Sequence, residues 1–172
     1  MAKFVLDWEV DDIFDFSIIG IIARIRPHKL AYALNQVVNP PLFRMPNDAQ
    51  LKTGGRTVLV PLFRPEASDQ IATNLVLIEN YGYYQPESAQ LGLFSQVSTE
   101  IEQGDWQRQK LIKNLKNFDF FLLIFGARSS AQTSHWTRTL RRVDEVTFAE
   151  EIKNIESVAG AEALLEIEPI TK

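Results

Sequence analysis

Leu111-Ile-Lys-Asn-Leu-Lys-Asn-Phe-Asp-Phe-Phe-Leu-Leu-Ile-Phe125 joins a polar, loosely patterned segment to the most apolar run of the chain's second half. From Phe118 to Phe125 every residue except Asp119 is aromatic or aliphatic. A short continuous apolar run that ends on Gly126 reads as a buried strand at the centre of a sheet. The preceding residues, from Trp106 to Asn117, are polar, with Leu111, Ile112 and Leu115 spaced for a short helix. Asp119 then stands at the mouth of the strand, where its carboxylate is expected to accept backbone hydrogen bonds.

Outward from this centre, the elements on the C-terminal side alternate in type. Gln132 to Arg142 is spaced for a helix with Trp136 and Leu140 on one face, and Val143 to Ile152 returns as a strand through Val146 and Phe148. Residues 157–172 are rich in Ala, Glu and Leu and read as a C-terminal extension, either packed on the domain or frayed. On the N-terminal side, Tyr81 to Gly104 reads as an ordered loop with fragments of structure. Arg56 to Phe63 and Ile71 to Ile78 read as an antiparallel hairpin. Pro61 has no N–H for the ladder, which places it on an edge strand or at a bulge.

The segment from Pro40 to Gly55 reads as a long surface connection, with Gly54-Gly55 launching the strand that follows. Before it, Pro27 opens a helix whose apolar stripe is Leu30, Ala33, Leu34, Val37 and Val38, stopped by Asn39-Pro40-Pro41. Phe16 to Ala23 reads as a buried strand, and Lys3 to Val10 as a strand with Phe4, Leu6 and Trp8 on one face. The sum is an α+β chain: a single domain over residues 1–156 with a mostly antiparallel sheet of about six strands and two or three packed helices.

Composition narrows the functional classes. The chain has 172 residues, 45% of them hydrophobic, including 11 Phe, 3 Trp and 4 Tyr, enough for a core without disulfide or metal support. It has no Cys, which removes disulfides, thiolate nucleophiles and Cys-based zinc sites and fits a cytoplasmic address. The start, MAKFVLDWEVDD, lacks the basic-then-apolar plan of a signal peptide. The apolar-rich stretch from Phe14 to Ile25 is interrupted by Asp15 and Arg24 and is far shorter than the ~20 residues a membrane span needs. With 18 Lys+Arg against 22 Asp+Glu the net charge is −4, so any attraction to nucleic acid must come from a local patch.

No residue set identifies an enzyme. His28 and His135 stand alone, without a second ligand at metal spacing. No G-x-S-x-G elbow, P-loop or G-x-G-x-x-G is present. The acids Asp7, Glu9, Asp11, Asp12 and Asp15 fit a solvated strand face better than a metal or catalytic site. The expectation is therefore no catalytic residue, no metal and no cofactor. Two local features could bind. Arg138, Arg141 and Arg142 with Trp136 nearby, and Arg128 in the Gly126-Ala-Arg-Ser-Ser loop, could hold RNA or a phosphate, and Arg24, Arg26 and Lys29 form a second basic run. Tyr81, Tyr83 and Tyr84 around Gly82 would, if exposed, serve as interface anchors.

The stretch from Leu111 to Phe125 resembles the hallmark segment of the bacterial IPExxxVDY family, with Ile112, Asp119 and the aromatic Phe120 in register. Lys113 and Asn114 replace that family's Pro and Glu, and Phe118 its Val. The FSIIGI run and the helix from Lys29-Leu30-Ala31 to Leu34-Asn35 are similar to its opening. The resemblance implies an intracellular α+β protein and supplies no catalytic residues. The leading functional expectation is a non-enzymatic protein-interaction module that binds a partner or a second copy of itself as a homodimer. An RNA- or phosphate-ligand-binding domain is the alternative, and a small enzyme with an unrecognised carboxylate site comes third.

Overall fold

The computed structural model describes residues 16–39, 41–66, 74–85, 106–126 and 130–167. Among these the chain forms β1 (Phe16–Ile22), α1 (Pro27–Leu34), β2 (Phe43–Arg44), β3 (Ala49–Thr53), β4 (Arg56–Val60), β5 (Leu62–Arg64), β6 (Asn74–Glu79), β7 (Tyr81–Tyr84), β8 (Gln107–Lys110), β9 (Phe120–Phe125), α2 (Ser130–Leu140) and β10 (Phe148–Glu151). Two antiparallel sheets result, one of six strands in the order β10-β1-β9-β6-β5-β2 and one of four in the order β3-β4-β7-β8. The expected α+β class holds. The second sheet is the addition that the periodicity alone did not announce, and the expected strand from Lys3 to Val10 lies outside the described residues.

The strand predicted to be central is central: β9 pairs with β1 on one side (Ile19↔Leu122) and with β6 on the other (Leu77↔Leu122). Its continuous apolar character follows from burial on both faces. Phe120, Leu122 and Ile124 enter a core shared with Leu30 and Leu34 of α1 and Trp136 and Leu140 of α2. Phe121 and Leu123 enter a second core with Leu51, Val58 and Val60 of the smaller sheet. The molecule is therefore layered as helices, six-stranded sheet and four-stranded sheet. Strand residues that alternate between faces have an apolar environment either way.

Several segments differ from the sequence reading, each for a local reason. The stretch from Pro40 to Gly55, expected as a surface connection, contains β2 and β3, and Leu51 is fully buried. Gly54 and Gly55 both have positive φ, +58° and +77°, and link β3 to β4 with Thr53 opposite Arg56. Two consecutive positive φ values suit a tight hairpin turn, which Gly adopts without steric cost. Trp106 to Asn117 was expected to be helical but gives β8 and a single 3-10 turn, Lys113–Leu115. Gln107–Lys110 pairs with β7, and the N–H groups of Leu111 and Ile112, two of the residues with helical spacing, are instead taken by Asn80. α1 stops at Leu34, short of Val38, because the Asn35 side chain grips the returning chain. Its Oδ1 accepts from the Leu42 N–H at 2.7 Å and its Nδ2 donates to the Leu42 carbonyl at 2.9 Å.

The C-terminal extension packs through its described part. Residues Ala161–Glu166 form a 3-10 helix whose Ala161, Ala163 and Leu164 are buried in the second core. In β10 the buried residue is Ala149, whereas Phe148 is exposed and Val146 is buried in the turn before the strand.

Two corners join the sheets. β5 pairs with β6 as the expected hairpin, Leu62↔Ile78 and Phe63↔Leu77, but Arg56 to Val60 belongs to the smaller sheet. The expected edge position for Pro61 is thus corrected: neither β4 nor β5 is an edge strand, and Pro61 is the break at which the chain crosses between sheets. Opposite it, Asn80 separates β6 from β7. The next pairing is Leu59↔Tyr83, so Val60 and Pro61 on one strand face Glu79 to Gly82 on the other. The surplus residues on the second strand bend it, as a bulge does.

Asn80 has no exposed surface, and its polar groups are all engaged. Its N–H donates to the Asp119 carbonyl at 2.7 Å, and its carbonyl accepts from the Leu111 N–H at 3.3 Å. Its Nδ2 donates to the carbonyls of Leu115 (3.0 Å) and Phe118 (3.1 Å), while its Oδ1 accepts from the Ile112 N–H at 3.0 Å. The corner thereby holds the whole irregular segment from Leu111 to Asp119.

Replacing Asn80 by Ala would leave the buried Ile112 N–H without its partner, while the Leu115 carbonyl keeps the Phe118 N–H and the Phe118 carbonyl keeps Lys110 Nζ. At roughly 1–3 kcal/mol for a buried group left unpaired, we expect a loss of about 2 kcal/mol. Urea unfolding of Asn80→Ala beside the parent chain measures it. Gly20 gives a second case: a Cβ there would lie 2.5 Å from the Phe118 ring. Gly20→Ala is expected to lower the unfolding midpoint by the equivalent of about 1–3 kcal/mol, the usual cost of overpacking.

Candidate functional site

The turn that follows β1 and the corner at Asn80 bring together residues far apart in sequence. Glu79 is the last residue of β6 and is 6% exposed. Arg108 stands on β8 directly opposite Tyr83 of β7. The Arg108 guanidinium pairs with Glu79 Oε1 through Nη2. The Tyr83 hydroxyl donates to Glu79 Oε2 at 3.0 Å. Both oxygens of this buried carboxylate therefore have partners, as burial of a charge requires. Tyr81, two residues from Tyr83 and on the same strand face, lies beneath two cations. The Arg108 guanidinium carbon is 3.5 Å, and Lys110 Nζ 4.1 Å, from its ring centroid. Lys110 Nζ also donates to the Phe118 carbonyl at 3.0 Å.

Asp119 occupies the mouth of β9 as expected, and its Oδ2 accepts from the Ala23 N–H at 3.1 Å. Its own N–H donates to the Ile21 carbonyl at 2.9 Å, so the residue ties β9 to the end of β1. Ala23 begins the turn that carries Arg24 and Arg26 into α1. Between this turn and the Glu79–Arg108 pair opens a cleft of about 400 Å³. Its charged lining is Arg24, Arg26, Lys29 and Arg108 against Glu79 and Asp119.

The balance of charge in the cleft is positive. Glu79 is neutralised by Arg108, and Asp119 faces a backbone N–H. Arg24, Arg26 and Lys29 are exposed, and their side chains make no ion pair or hydrogen bond among the described residues. α1 starts at this wall with no side-chain cap and no acidic residue in its first turn, so its positive dipole end adds to the same field. A recess with several convergent cations and few carboxylates left to answer them suits an oxyanion.

The residues singled out in the sequence fall in different places. Tyr81 and Tyr83 line the outer face of the smaller sheet, engaged as described. Tyr84 turns to the opposite face, where its hydroxyl donates to Gln107 Oε1 at 2.7 Å and accepts from Arg56 Nη1 at 2.9 Å. The three tyrosines thus do not make one exposed patch. Trp136, expected beside the arginines as a stacking platform, is 7% exposed and packs in the helix-side core, so the helix brings no accessible indole to that patch. Arg141 Nε donates to the Ala149 carbonyl at 2.8 Å and covers the edge strand β10, while Arg138 and Arg142 are exposed. Arg128 lies outside the described residues, as do Asp7, Glu9, Asp11, Asp12 and Asp15. Ile112 and Phe120 are buried structural residues.

Among the described residues no group of three His, Asp or Glu is placed to hold a metal ion. No helix among them is long and apolar enough to cross a membrane. Comparison with protein-family models, with curated proteins and with solved structures gives no match. Arg24, Arg26 and Lys29 are visible in the sequence as a basic run, whereas Glu79 and Arg108 have no local signal and reach the same cleft only through the corner at Asn80 and the β7–β8 pairing.

The Tyr83 phenol is pushed above its ordinary value of 10, first by burial and then by the neighbouring Glu79 charge, with Arg108 opposing. A phenol whose folded-state value is raised stabilises the fold below its unfolded value, and that contribution is lost as pH rises through the folded value. Tyr83→Phe is therefore expected to flatten the decline of stability above pH ~10 relative to the parent chain. Ultraviolet titration of the tyrosines should lose its late component in the variant.

Proposed function

We propose that this chain is a phosphate-ligand-binding domain whose site is the cleft between the turn after β1 and the Glu79–Arg108 pair. The observation that carries the reading is the set of three side chains, Arg24, Arg26 and Lys29, that meet Arg108 around one recess without carboxylates of their own. Arginine and lysine in such a cluster bind phosphate by charge-assisted hydrogen bonds, the arginines in bidentate fashion. The reading moves the phosphate site away from Arg138, Arg141 and Arg142, since Arg141 is occupied at the β10 edge.

The protein-interaction and homodimer reading has weaker support. Of the four sheet edges among the described strands, β10 has its Ala149 carbonyl occupied by Arg141, and on β3 the Lys52 N–H donates to Glu166 Oε2 at 3.2 Å. Such side-chain contacts blunt edge-to-edge pairing. Membership of the IPExxxVDY family, and with it a bacterial and cytoplasmic setting, is a proposal that rests on the segment from Ile112 to Phe120, the same one gripped by Asn80.

Titration calorimetry with inorganic pyrophosphate tests the site. The parent chain is expected to bind at low ionic strength and to weaken as salt is raised. The double variant Arg24→Ala/Arg26→Ala should bind about tenfold or more weakly, on the order of 1.4 kcal/mol, within what lost hydrogen bonds to charged groups cost. Arg138→Ala/Arg142→Ala should match the parent. Absence of pyrophosphate binding at low salt would rule the site out.

A further inference from the structure

Beside the cationic cleft a second recess of about 610 Å³ opens against α1, lined by Ile25, His28, Lys29, Tyr32 and Glu145. Ile25 and Lys29 line both recesses, so the two adjoin at the first turns of the helix. His28 and Tyr32 are four residues apart and share one helix face. Tyr32 is 72% exposed, and among the described residues it makes no side-chain hydrogen bond, ring-pair or cation–ring contact. Glu145 reaches the groove from the turn after α2.

These features differ from those of the cleft. The cleft offers cations; the groove offers an uncovered aromatic face, the apolar flank of Ile25 and a carboxylate that can only accept hydrogen bonds while ionised. An alkyl chain would strip water from Glu145 and give it no partner. A planar heterocycle with an exocyclic amine stacks on the tyrosine and donates to the carboxylate. Both recesses lie within the size range of small-ligand sites.

We infer that the two recesses form one site for a nucleoside phosphate, with the phosphates among Arg24, Arg26, Lys29 and Arg108 and an amine-bearing base between Tyr32 and Glu145. This rests on the phosphate reading of the cleft and adds the class of the ligand. Lys29, common to both recesses, stands where the sugar joins the two ends.

Calorimetry on the full chain with ADP, UDP and inorganic pyrophosphate separates the two claims, because all three carry a diphosphate. ADP is expected to bind about tenfold more tightly than pyrophosphate and more tightly than UDP, whose base has no exocyclic amine. Tyr32→Ala, at a surface position that leaves the cores intact, should remove the advantage of ADP. If ADP binds no better than pyrophosphate, the nucleotide class is overturned and the phosphate cleft stands. If none of the three binds, both readings fall. A short oligoadenylate binding far more tightly than ADP would overturn the mononucleotide in favour of a single strand.

Discussion

Asn80 makes five hydrogen bonds from a position without solvent contact, and every one of them is to the backbone between Leu111 and Asp119. That segment has only one 3-10 turn to satisfy its own polar groups, and its buried members are Leu111, Ile112 and Phe118. In a buried setting each unpaired amide or carbonyl is costly, so one side chain with two donors and an acceptor, all aimed at the same stretch, lets these residues be buried without a regular element of their own. Around it the β6–β7 strand turns from one sheet into the other. The smaller sheet can then cover the second face of β9.

This corner also shapes the surface. Because the strand bends there, Glu79 ends in the large sheet while Tyr81 and Tyr83 begin in the small one. β8, paired to β7, carries Arg108 back over Glu79. The floor of the cationic cleft is thus a consequence of how the sheets are joined, and its rim is the turn that leads from β1 into α1. Asp119 links the two through the Ala23 N–H and the Ile21 carbonyl. A polar core element and a binding recess on its outer side share one segment of chain.

The functional reading and the fold therefore have a common origin. The cations of the rim are exposed and flexible in type, whereas Arg108 is fixed by a buried carboxylate and an aromatic ring. A site built this way has one oriented cation and three adaptable ones. That combination suits a ligand held chiefly by its charged end, with selectivity supplied by whatever the remainder of the ligand touches.

Much of the architecture was legible without coordinates. The apolar run ending at Phe125, the FSIIGI run and the stripe from Leu30 to Leu34 report burial directly, since a residue facing a core without a hydrogen-bonding partner must be apolar. The basic run of Arg24, Arg26 and Lys29 was equally visible. What the sequence alone left open was pairing: Leu51 and Gln107–Lys110 belong to short strands whose stability comes from neighbours distant in the chain, and local spacing there favoured a loop and a helix. Asn80 and Glu79 carry no local pattern, because a polar residue buried among remote carbonyls looks the same in sequence as one on the surface. Burial is encoded residue by residue, but hydrogen-bond satisfaction and the meeting of Arg108 with Glu79 depend on positions 29 residues apart, and only the folded chain brings those together.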